Sequence, residues 1–497
     1  MSKLKPFIFA VLSGVFLSLA FPNFNFTFLA WAGFVCLFLA TRNCSLKKTF
    51  FLWYAGGIVF YALTIYWVIH VTLIGLILLV VYLAVYFGLF GILTKKLERF
   101  PKILFLFLTP AVWIALEYIR SHFLSGFGWV LLGYSQSSNL AMIQIADCTG
   151  VYGVSYAVML VNVLLYFSIR DGLGKNTKEA VAVFLVISVL FAYGIFKLRQ
   201  TTKAFSKIKI ALIQGNIPQD VKWEESKRDF ILRTYEVLTK KAGEEKPDLI
   251  IWPETSVPGY LEAEPDLLGR VTALAKETGT SLLVGSIGYD FENYGKPFNS
   301  AILIKDSGRN FERHNKLHLV PFGEYIPFEN IFGFIRSLIE IGDFKAGKEY
   351  GLLSIKDAKL GTLVCFENIF GSIVRNFIKK GANCMVNITN DAWFKNSSAP
   401  FQHAQGSIFR AVENRVYVVG CANTGLSCFI DEKGRLYNQV RDAHGKSIEV
   451  AGVCISEVGL LRSDTFYTRF GDLFAFICLV LSISVLILPR FKPVVKL

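Results

Sequence analysis

The sequence predicts a polytopic α-helical membrane domain joined to an extramembrane α/β domain. Two observations carry this prediction. Of the 497 residues, 53% are hydrophobic and 45 are phenylalanines, which is too apolar for an ordinary soluble enzyme. The apolar residues are also unevenly distributed. Long apolar runs fill the first 196 residues, whereas short β-like runs alternate with polar segments from about residue 207 onward.

Apolar runs of membrane-spanning character define the first domain. Crossing about 30 Å of hydrocarbon requires roughly 20 apolar residues in a helix. Runs of this kind, the first two of them short, cover residues 6–21, 26–41, 49–70, 73–94, 103–119, 151–168, 179–196 and 472–489. The pattern predicts about eight spans: seven in an N-terminal block of residues 1–196, and one in a C-terminal segment of residues 472–497 with a basic tail. Residues 197–471 form the extramembrane domain between them.

Basic residues in the connections predict the orientation. Lysine and arginine occupy every second connection, within 3–5, 42–48, 95–102, 170–178 and 490–496, whereas the connections at 21–26 and 70–73 contain none. Cytoplasmic loops carry such an excess, so both termini are expected to be cytoplasmic and residues 197–471 to lie outside. The net charge of +14 is scattered over these loops, which favours contact with anionic headgroups and not with nucleic acid.

The outward connection 120–150 is aromatic and apolar but interrupted by Gly, Ser and Asn. Such a segment is expected to lie at the membrane interface or to re-enter it. Glu117 and Arg120 stand at its start and are expected to form a helix-end pair that anchors to lipid headgroups. Residues 325–345 alternate Phe, Ile and Gly, which predicts an interfacial lid.

The pattern between 207 and 471 predicts a layered α/β or α+β sandwich. Runs such as KIKIALIQGN, PDLIIWPET and GTLVCFEN are β-rich, and helical stretches at 225–242, 263–278 and 371–380 lie between several of them. Antiparallel-looking runs at 300–305 and 426–430 complete the pattern. Functional groups concentrate where loops follow strands. Glu254 and Cys365 both occupy such strand ends.

Glu254, Lys316 and Cys365 together supply the groups needed to form, hold and resolve an acyl-thioester. A thiolate is a strong nucleophile, but the pKa of free cysteine is about 8.5, so the thiol needs help to ionise. We expect Glu254 to act as general base. Lys316 is expected to stabilise the oxyanion and lower the pKa of the thiol, with a backbone N–H near Phe366 completing the oxyanion hole. A lone cysteine after a strand is more often a buried core residue, so the hypothesis needs all three residues together.

The motifs WPET, HNKLHLVPFGEYIP and CFE resemble the Glu–Lys–Cys set of the nitrilase, or carbon–nitrogen hydrolase, superfamily. With the apolar N-terminal block and the motifs QGNIPQDVKW, NDAWF, PFQHAQ, RAVENR and ANTG, essentially the whole chain resembles the bacterial apolipoprotein N-acyltransferase family. Two positions depart from the family pattern. Phe366 stands where tyrosine is often expected, and Lys395 stands where glycine is more usual.

This resemblance implies a nitrilase-like α-β-β-α sandwich and a multi-pass enzyme of the bacterial cytoplasmic (inner) membrane, with its catalytic domain on the periplasmic side. It implies transfer of a fatty acyl chain from a phospholipid, with phosphatidylethanolamine expected, to the N-terminal amine of a diacylglyceryl apolipoprotein. It also implies that Glu324 and Glu367 support the site and that no cofactor is needed. Trp223 and Trp393 are expected to wall or gate the acyl chains. The histidine spacing contains no metal-binding set.

Two other functions remain open at this point. A membrane-tethered amidase of the nitrilase type would use the same Glu–Lys–Cys triad with water as acceptor, although such an enzyme has no use for the spans. A transporter with an outer sensing domain would carry polar residues within several spans, whereas only Glu117 and His70 lie near span ends. The nine cysteines contain no CxxC and do not look like a disulfide framework.

Overall fold

The chain is described here by a computed structural model that covers residues 4–290, 295–308, 311–333, 336, 342–462 and 464–487. It divides into two compact units. Unit 1 comprises Met1–Thr201, Ser397–Gln405 and Thr465–Leu497, and unit 2 comprises Thr202–Asn396 and Gly406–Asp464. Part of the predicted lid, at 334–335 and 337–341, and the basic tail at 490–496 lie outside the described residues.

Helices and strands are numbered along the chain. Over the described residues the α-helices are α1 Lys5–Leu19, α2 Val35–Thr41, α3 Leu46–Thr64, α4 Leu73–Leu97, α5 Lys102–His122, α6 Leu140–Ile143, α7 Ala146–Thr149, α8 Val151–Asp171, α9 Thr177–Arg199, α10 Arg228–Gly243, α11 Pro265–Thr278, α12 Glu329–Phe332, α13 Gly371–Lys379, α14 Ala399–Asn414, α15 Phe466–Phe470 and α16 Leu473–Ile487. The strands are β1 Ser206–Gln214, β2 Leu249–Ile251, β3 Ser281–Gly288, β4 Phe298–Ile304, β5 Phe311–Asn315, β6 Leu352–Ile355, β7 Ala358–Val364, β8 Cys384–Thr389, β9 Val418–Ala422, β10 Cys428–Ile430, β11 Leu436–Gln439 and β12 Gly452–Leu460.

Unit 1 has the helical, apolar character expected of a membrane domain. Each predicted span is helical over most of its described length. Among the described residues, α4, α5, α8 and α9 are long and apolar enough to cross a membrane, whereas α1, α16 and the helical segment Thr27–Thr41 are apolar but shorter. Apolar helices of spanning length are thus confirmed, and the total of about eight spans stays a prediction.

Aromatic packing and small residues hold the helices of unit 1 together. Phe34 lies at the centre of a cluster, with its ring centroid 4.9 Å from that of Trp113 and 6.0 Å from that of Trp53. Such aromatic pairs contribute about 0.5–1.5 kcal/mol each beyond their buried area. Helices α1 and α3 meet closely, because a Cβ on Gly14 would lie 2.6 Å from the Gly56 carbonyl oxygen. Small residues at a crossing permit such an approach.

The predicted span 26–41 is interrupted, and α8 compensates for the interruption. A 3-10 turn, Thr27–Trp31, precedes α2. At the break, the Asn162 side chain accepts a hydrogen bond from the Phe34 N–H at 2.9 Å and donates one to the Ala30 carbonyl at 2.8 Å. Backbone groups freed inside an apolar region are costly unless paired, so Asn162 allows the broken helix.

The structure corrects the interpretation of Glu117 and Arg120. Both side chains are buried, so neither reaches lipid headgroups. The Glu117 carboxylate accepts a hydrogen bond from the Leu132 N–H at 2.7 Å. The Arg120 guanidinium donates to the Trp129 carbonyl at 3.0 Å. The pair therefore holds the connection 120–150 in place, and residues 128–137 of that connection are buried.

Unit 1 also contains Ser397–Gln405, although the chain on either side belongs to unit 2. Gln402 anchors this segment. Its side-chain oxygen accepts hydrogen bonds from the indole N–H groups of Trp67 at 3.1 Å and Trp129 at 2.8 Å. Its amide nitrogen donates to the Thr64 carbonyl at 2.9 Å. A buried amide with partners on both of its atoms fixes the segment in one arrangement.

Unit 2 contains two sheets of the same design. The strand order over the described residues is β12-β1-β2-β3-β4-β5 in the first sheet and β11-β10-β9-β8-β7-β6 in the second. In each sheet the three central strands, β1–β3 or β7–β9, run parallel, and antiparallel strands flank them. The carboxyl ends of the parallel strands therefore open at one edge of each sheet, where loops carry functional residues.

Alternation along the strands sets the layers of unit 2. In β1, Ile210 and Leu212 pack in a core that also contains Val386 and Ile388 of the second sheet. Their neighbours Ala211 and Ile213 face the other way, toward residues of α10 and α11. Successive side chains of a strand point to opposite faces, so one strand serves two cores. Helix α13 packs on β7 of the second sheet, which produces the expected α-β-β-α order.

Candidate active site

Cys365 begins a tight turn at the carboxyl end of β7. Its φ is +57°, a left-handed conformation that costs a non-glycine residue roughly 1–2 kcal/mol. Such strain clusters at functional sites. The turn continues as a 3-10 helix, Cys365–Ile369, and the partly buried Cys365 side chain packs against the core that contains residues of both sheets.

Glu367 holds this turn from within. It is fully buried, and one carboxylate oxygen accepts the Val364 N–H at 2.8 Å. The other oxygen accepts the N–H groups of Leu317 at 2.7 Å and His318 at 2.9 Å. One carboxylate therefore ties the residue before Cys365 to the two residues that follow Lys316. Burial raises the pKa of Glu367 to about 7, although the backbone N–H of Val364 opposes the shift.

Glu254 lies just beyond β2, which ends at Ile251. One carboxylate oxygen accepts the Asn390 N–H at 2.8 Å, and the other accepts the Asn299 side-chain amide at 2.7 Å. Neighbouring Gly285 must lack a side chain, since a Cβ there would lie 2.6 Å from the Glu254 Cα. Two hydrogen bonds therefore hold the carboxylate, and its main chain packs closely against Gly285.

Lys316 directly follows β5 and is only 1% exposed. Its ammonium lies 2.9 Å from a Glu324 carboxylate oxygen and 3.8 Å from a Glu254 carboxylate oxygen. Burial alone would lower the pKa of Lys316, but Glu324 and Glu254 outweigh it and hold the pKa above its usual range. Lys316 is therefore a permanent cation at neutral pH.

Asn299 bridges the two carboxylates that face Lys316, and sequence reasoning missed it. Its side-chain nitrogen donates to Glu254 at 2.7 Å and to Glu324 at 2.8 Å. The backbone carbonyl of Asn299 also accepts a hydrogen bond from the backbone N–H of Lys316 at 2.8 Å. The available signal was weak, because Asn299 is one of two polar residues near the start of the mostly apolar strand β4. Only the pairing of β4 with β5 shows what it faces.

The charges around Cys365 oppose one another. Burial raises the pKa of the thiol above its ordinary value, the Glu254 carboxylate raises it further, and the Lys316 ammonium lowers it. The resting thiol is therefore protonated at neutral pH. Ionisation requires transfer of the proton to a base, and Glu254 is the carboxylate whose charge acts on this sulfur most strongly.

The remaining predicted residues lie in more open positions. Trp223 is 51% exposed and Trp393 is 47% exposed, so neither is a core residue. Trp223 directly follows Lys222, whose ammonium donates to the Glu254 carbonyl at 3.0 Å. Phe366 is half-buried and packs edge-on against Phe370, with ring centroids 5.0 Å apart.

Hydrogen bonds between asparagines bring three of the sequence motifs together. Asn423 of ANTG donates to the side-chain oxygen of Asn390 of NDAWF at 3.0 Å and to the Ile217 carbonyl of QGNIPQDVKW at 2.7 Å. Asn390 in turn donates to Gln219 at 2.8 Å. These side chains fix the loop around Glu254, and the motifs are explained by their contacts with one another.

In the described part of the chain, no group of three or more His, Cys, Asp or Glu side chains is arranged to hold a metal ion. The nine cysteines all lie within the described residues, and no disulfide joins any two of them.

Fold and site together define a carbon–nitrogen hydrolase domain, and comparison with known proteins agrees. Residues 209–462 match the family model described as carbon-nitrogen hydrolase, and residues 13–164 match that of the apolipoprotein N-acyltransferase N-terminal domain. An apolipoprotein N-acyltransferase of Geobacter metallireducens is 39% identical over 95% of this chain and 93% of its own length. That of Methylococcus capsulatus is 32% identical over 87% of each chain.

The chain belongs to the apolipoprotein N-acyltransferase family, which confirms the resemblance predicted from the motifs. Among solved structures, Saccharomyces cerevisiae Nit3, a member of branch 10 of the nitrilase superfamily, matches with a TM-score of 0.40 and 20% identity. The match covers 52% of this chain and 93% of that one.

Proposed function

We propose that this protein transfers a fatty acyl chain from a phospholipid to the N-terminal amine of diacylglyceryl apolipoproteins through a thioester on Cys365. Phosphatidylethanolamine is the expected donor. The observation that carries the proposal is the charge arrangement in unit 2: a buried Lys316 ammonium between the Glu254 and Glu324 carboxylates, acting on the Cys365 sulfur. Family membership supports the same reaction.

The first half-reaction forms the thioester. Glu254 accepts the Cys365 proton as the sulfur attacks the ester carbonyl of the phospholipid. Negative charge develops on the carbonyl oxygen, where the Lys316 ammonium and a backbone N–H near Phe366 stabilise it. When the intermediate collapses, the carbon–oxygen bond breaks and Glu254 returns the proton to the departing oxygen. The products are an acyl-enzyme and a lysophospholipid.

The second half-reaction forms the amide. The acceptor amine attacks the thioester carbonyl, and Glu254 removes a proton from the amine nitrogen as the bond forms. The carbon–sulfur bond then breaks, and the proton returns to the Cys365 sulfur. Because Cys365 carries the acyl chain between the two half-reactions, the lysophospholipid leaves before the acceptor reacts, which predicts ping-pong kinetics.

The supporting roles follow from the contacts. Glu324 keeps Lys316 charged, and Glu367 sets the position of Lys316 relative to Cys365 through backbone hydrogen bonds. Trp223 and Trp393 are exposed aromatic side chains beside segments that contact Glu254, which supports a role as walls for the acyl chains. The site needs no cofactor and no metal for this chemistry.

The proposed setting is the cytoplasmic (inner) membrane of a bacterium. In this arrangement residues 1–196 supply seven spans and residues 472–489 an eighth. Both termini face the cytoplasm, and the catalytic domain, residues 197–471, lies on the periplasmic side. The alternation of basic loops supports the orientation, and the apolar helices support membrane insertion.

The test is intact-mass analysis after incubation of the purified protein with phospholipid alone. The wild type is expected to gain the mass of one acyl chain, and Cys365→Ala is expected to gain none. An unchanged wild-type mass, or an adduct that persists in Cys365→Ala, would overturn the mechanism. In cells, loss of the protein is expected to leave lipoproteins with free amino termini.

The amidase alternative is less well supported, because the match to apolipoprotein N-acyltransferases includes the apolar N-terminal part of the chain. The two functions differ in acceptor and donor. An amidase would release ammonia from small amides in the absence of lipid, whereas the proposed enzyme would not.

A further inference from the structure

Lys222 is a second buried lysine at the site, and neither the sequence motifs nor the acyl-transfer scheme assigns it a role. Its side chain is 3% exposed. Burying an ammonium costs several kcal/mol unless nearby groups compensate. Its ammonium donates to the backbone carbonyl of Glu254 at 3.0 Å, not to a carboxylate. Lys222 therefore differs from Lys316, which lies 2.9 Å from the Glu324 carboxylate.

The surroundings of Lys222 indicate what compensates its charge. The charges that act on it are those of the Glu254 carboxylate and of the Cys365 thiolate. Burial lowers the pKa of Lys222 to about 8, and the negative charges of Glu254 and Cys365 oppose that shift. Lys316 and Asp391 act on the same sulfur from other elements, the first lowering and the second raising the thiol pKa.

The two lysines thus contribute differently to the sulfur. The Lys316 charge is already balanced by Glu324 in the resting enzyme, so its net field at a distance is reduced. The Lys222 charge is opposed by the Glu254 carboxylate in the resting enzyme and, once Glu254 has taken the thiol proton, by the thiolate and then the oxyanion. Interactions that strengthen along the reaction lower the barrier, whereas interactions present throughout do not.

We propose that Lys222 is a positioning residue for Glu254 and the second cation that stabilises the ionised Cys365 sulfur. The hydrogen bond to the Glu254 carbonyl fixes the main chain of the general base. The loop that carries Lys222 is itself held in place, because the Ile217 N–H donates to the Asn423 side chain at 2.9 Å. This role rests on the proposed acyl transfer at Cys365.

The experiment compares Lys222→Met, Lys222→Arg and wild type as full-length protein in phospholipid nanodiscs, with exposed Lys227→Met as the matched control. The first readout is the rate of iodoacetamide alkylation of Cys365 from about pH 6 to about pH 10, a range that spans the Lys222 pKa of about 8. Peptide mass spectrometry locates the label, and Cys365→Ala provides the blank. The second readout is the rate of acyl-adduct formation over the same pH range.

Loss of one nearby opposite charge raises the apparent pKa of a thiol by about one to three units. Lys222→Met is therefore expected to alkylate at least about tenfold more slowly near neutral pH and to recover as the pH rises. In wild type, the rate of acyl-adduct formation is expected to fall at alkaline pH, because Lys222 then loses its proton. Arginine stays charged throughout this range. Lys222→Arg is therefore expected to alkylate faster than Lys222→Met near neutral pH, and its rate of acyl-adduct formation should not fall at alkaline pH.

Superimposable alkylation profiles for Lys222→Met and wild type would overturn the inference. If Lys222→Met does not fold, Lys222→Arg provides the test. The inference would be overturned equally if the rate of acyl-adduct formation by Lys222→Arg fell at alkaline pH as it does in wild type. A wild type that alkylates as described but forms no acyl adduct would instead contradict the acyl-transfer function, so the two failures are distinguishable.

Discussion

Replacement of Asn299 by aspartate tests whether the amide bridge keeps two carboxylates side by side. The substitution preserves shape but exchanges the amide nitrogen for an oxygen. That oxygen would lie where the nitrogen now donates to Glu254 at 2.7 Å and to Glu324 at 2.8 Å. Three carboxylates would then share the single Lys316 ammonium.

The magnitude follows from these distances. With an effective dielectric constant of 20, each unit charge pair at such a separation repels by about 6 kcal/mol. Full ionisation is therefore too costly, and the cluster binds a proton instead. Protonating a carboxyl of ordinary pKa at pH 7 costs about 4 kcal/mol. A carboxylic acid donates to only one neighbour, so one charged hydrogen bond worth about 2 kcal/mol is also lost. The expected destabilisation is about 6 kcal/mol at pH 7.

The pH dependence has a definite sign. The proton belongs to the native cluster, whose pKa is raised above that of the unfolded chain. The cost therefore grows as the pH rises and shrinks as it falls, by about 1.4 kcal/mol per pH unit. The difference in stability between Asn299→Asp and wild type should narrow by about 3 kcal/mol between pH 7.5 and 5.5.

The assay is the melting temperature of the purified protein at both pH values. One kcal/mol corresponds to about 2–4 °C for a domain of this size, so Asn299→Asp should melt more than about 10 °C below wild type at pH 7.5. Asn376→Asp is the matched control, because its amide donates to the Tyr350 hydroxyl at 3.1 Å, which can donate in return. Equal melting of Asn299→Asp and wild type at pH 7.5 would refute the bridging role.

Three further outcomes are expected. His314 is 2% exposed, and burial lowers its pKa to about 4. As the pH falls from about 6.5 to about 4, the unfolded chain binds a proton at His314 that the folded chain does not, so unit 2 loses up to about 3 kcal/mol of stability. His314→Phe should abolish that acid loss in unfolding midpoints measured at pH 7 and 5, and an unchanged pH slope would contradict this. Gln402→Leu leaves two indole N–H groups without their acceptor and should destabilise unit 1 by about 2–4 kcal/mol, read as a lower melting temperature; an unaltered melting temperature would show that Gln402 does not anchor its segment. Glu367→Gln replaces an acceptor of the Val364 N–H and should slow acyl-adduct formation at least about tenfold, whereas a wild-type rate would exclude the positioning role of Glu367.

The elements that could be predicted from sequence are those with a local signature. The apolar runs correspond to helices of unit 1, and the predicted helices at 225–242, 263–278 and 371–380 correspond to α10, α11 and α13. The central strands β1, β2 and β7 correspond to the β-rich runs KIKIALIQGN, PDLIIWPET and GTLVCFEN. These runs could be recognised because most of their strand residues are buried and apolar. Such strands can be predicted from their amino-acid composition.

Flanking strands and polar contacts were harder to predict. Strand β5, with sequence FERHN, is polar and half-exposed, and only its pairing with β4 makes it a strand. Glu117 and Arg120 were assigned to the headgroups because a charged pair near a helix end usually lies there. Their hydrogen-bond partners, Leu132 and Trp129, lie beyond the helix in the following connection. The burial of the two charged side chains therefore could not be predicted from the sequence.

By itself, the sequence determined the chemistry available to this protein: a thiol, a carboxylate and an ammonium in ordered motifs, within a chain whose apolar runs require a membrane. These properties depend on residue type and local periodicity, which one chain displays directly. The tertiary structure decided how the groups act on one another. Three contacts illustrate this: Asn299 between two carboxylates, Lys222 behind Glu254, and Gln402 between two indoles. They join residues that lie 25 to 335 positions apart in the chain. Hydrogen bonds and electrostatic forces act over a few ångströms of space, so no spacing along the sequence could reveal them.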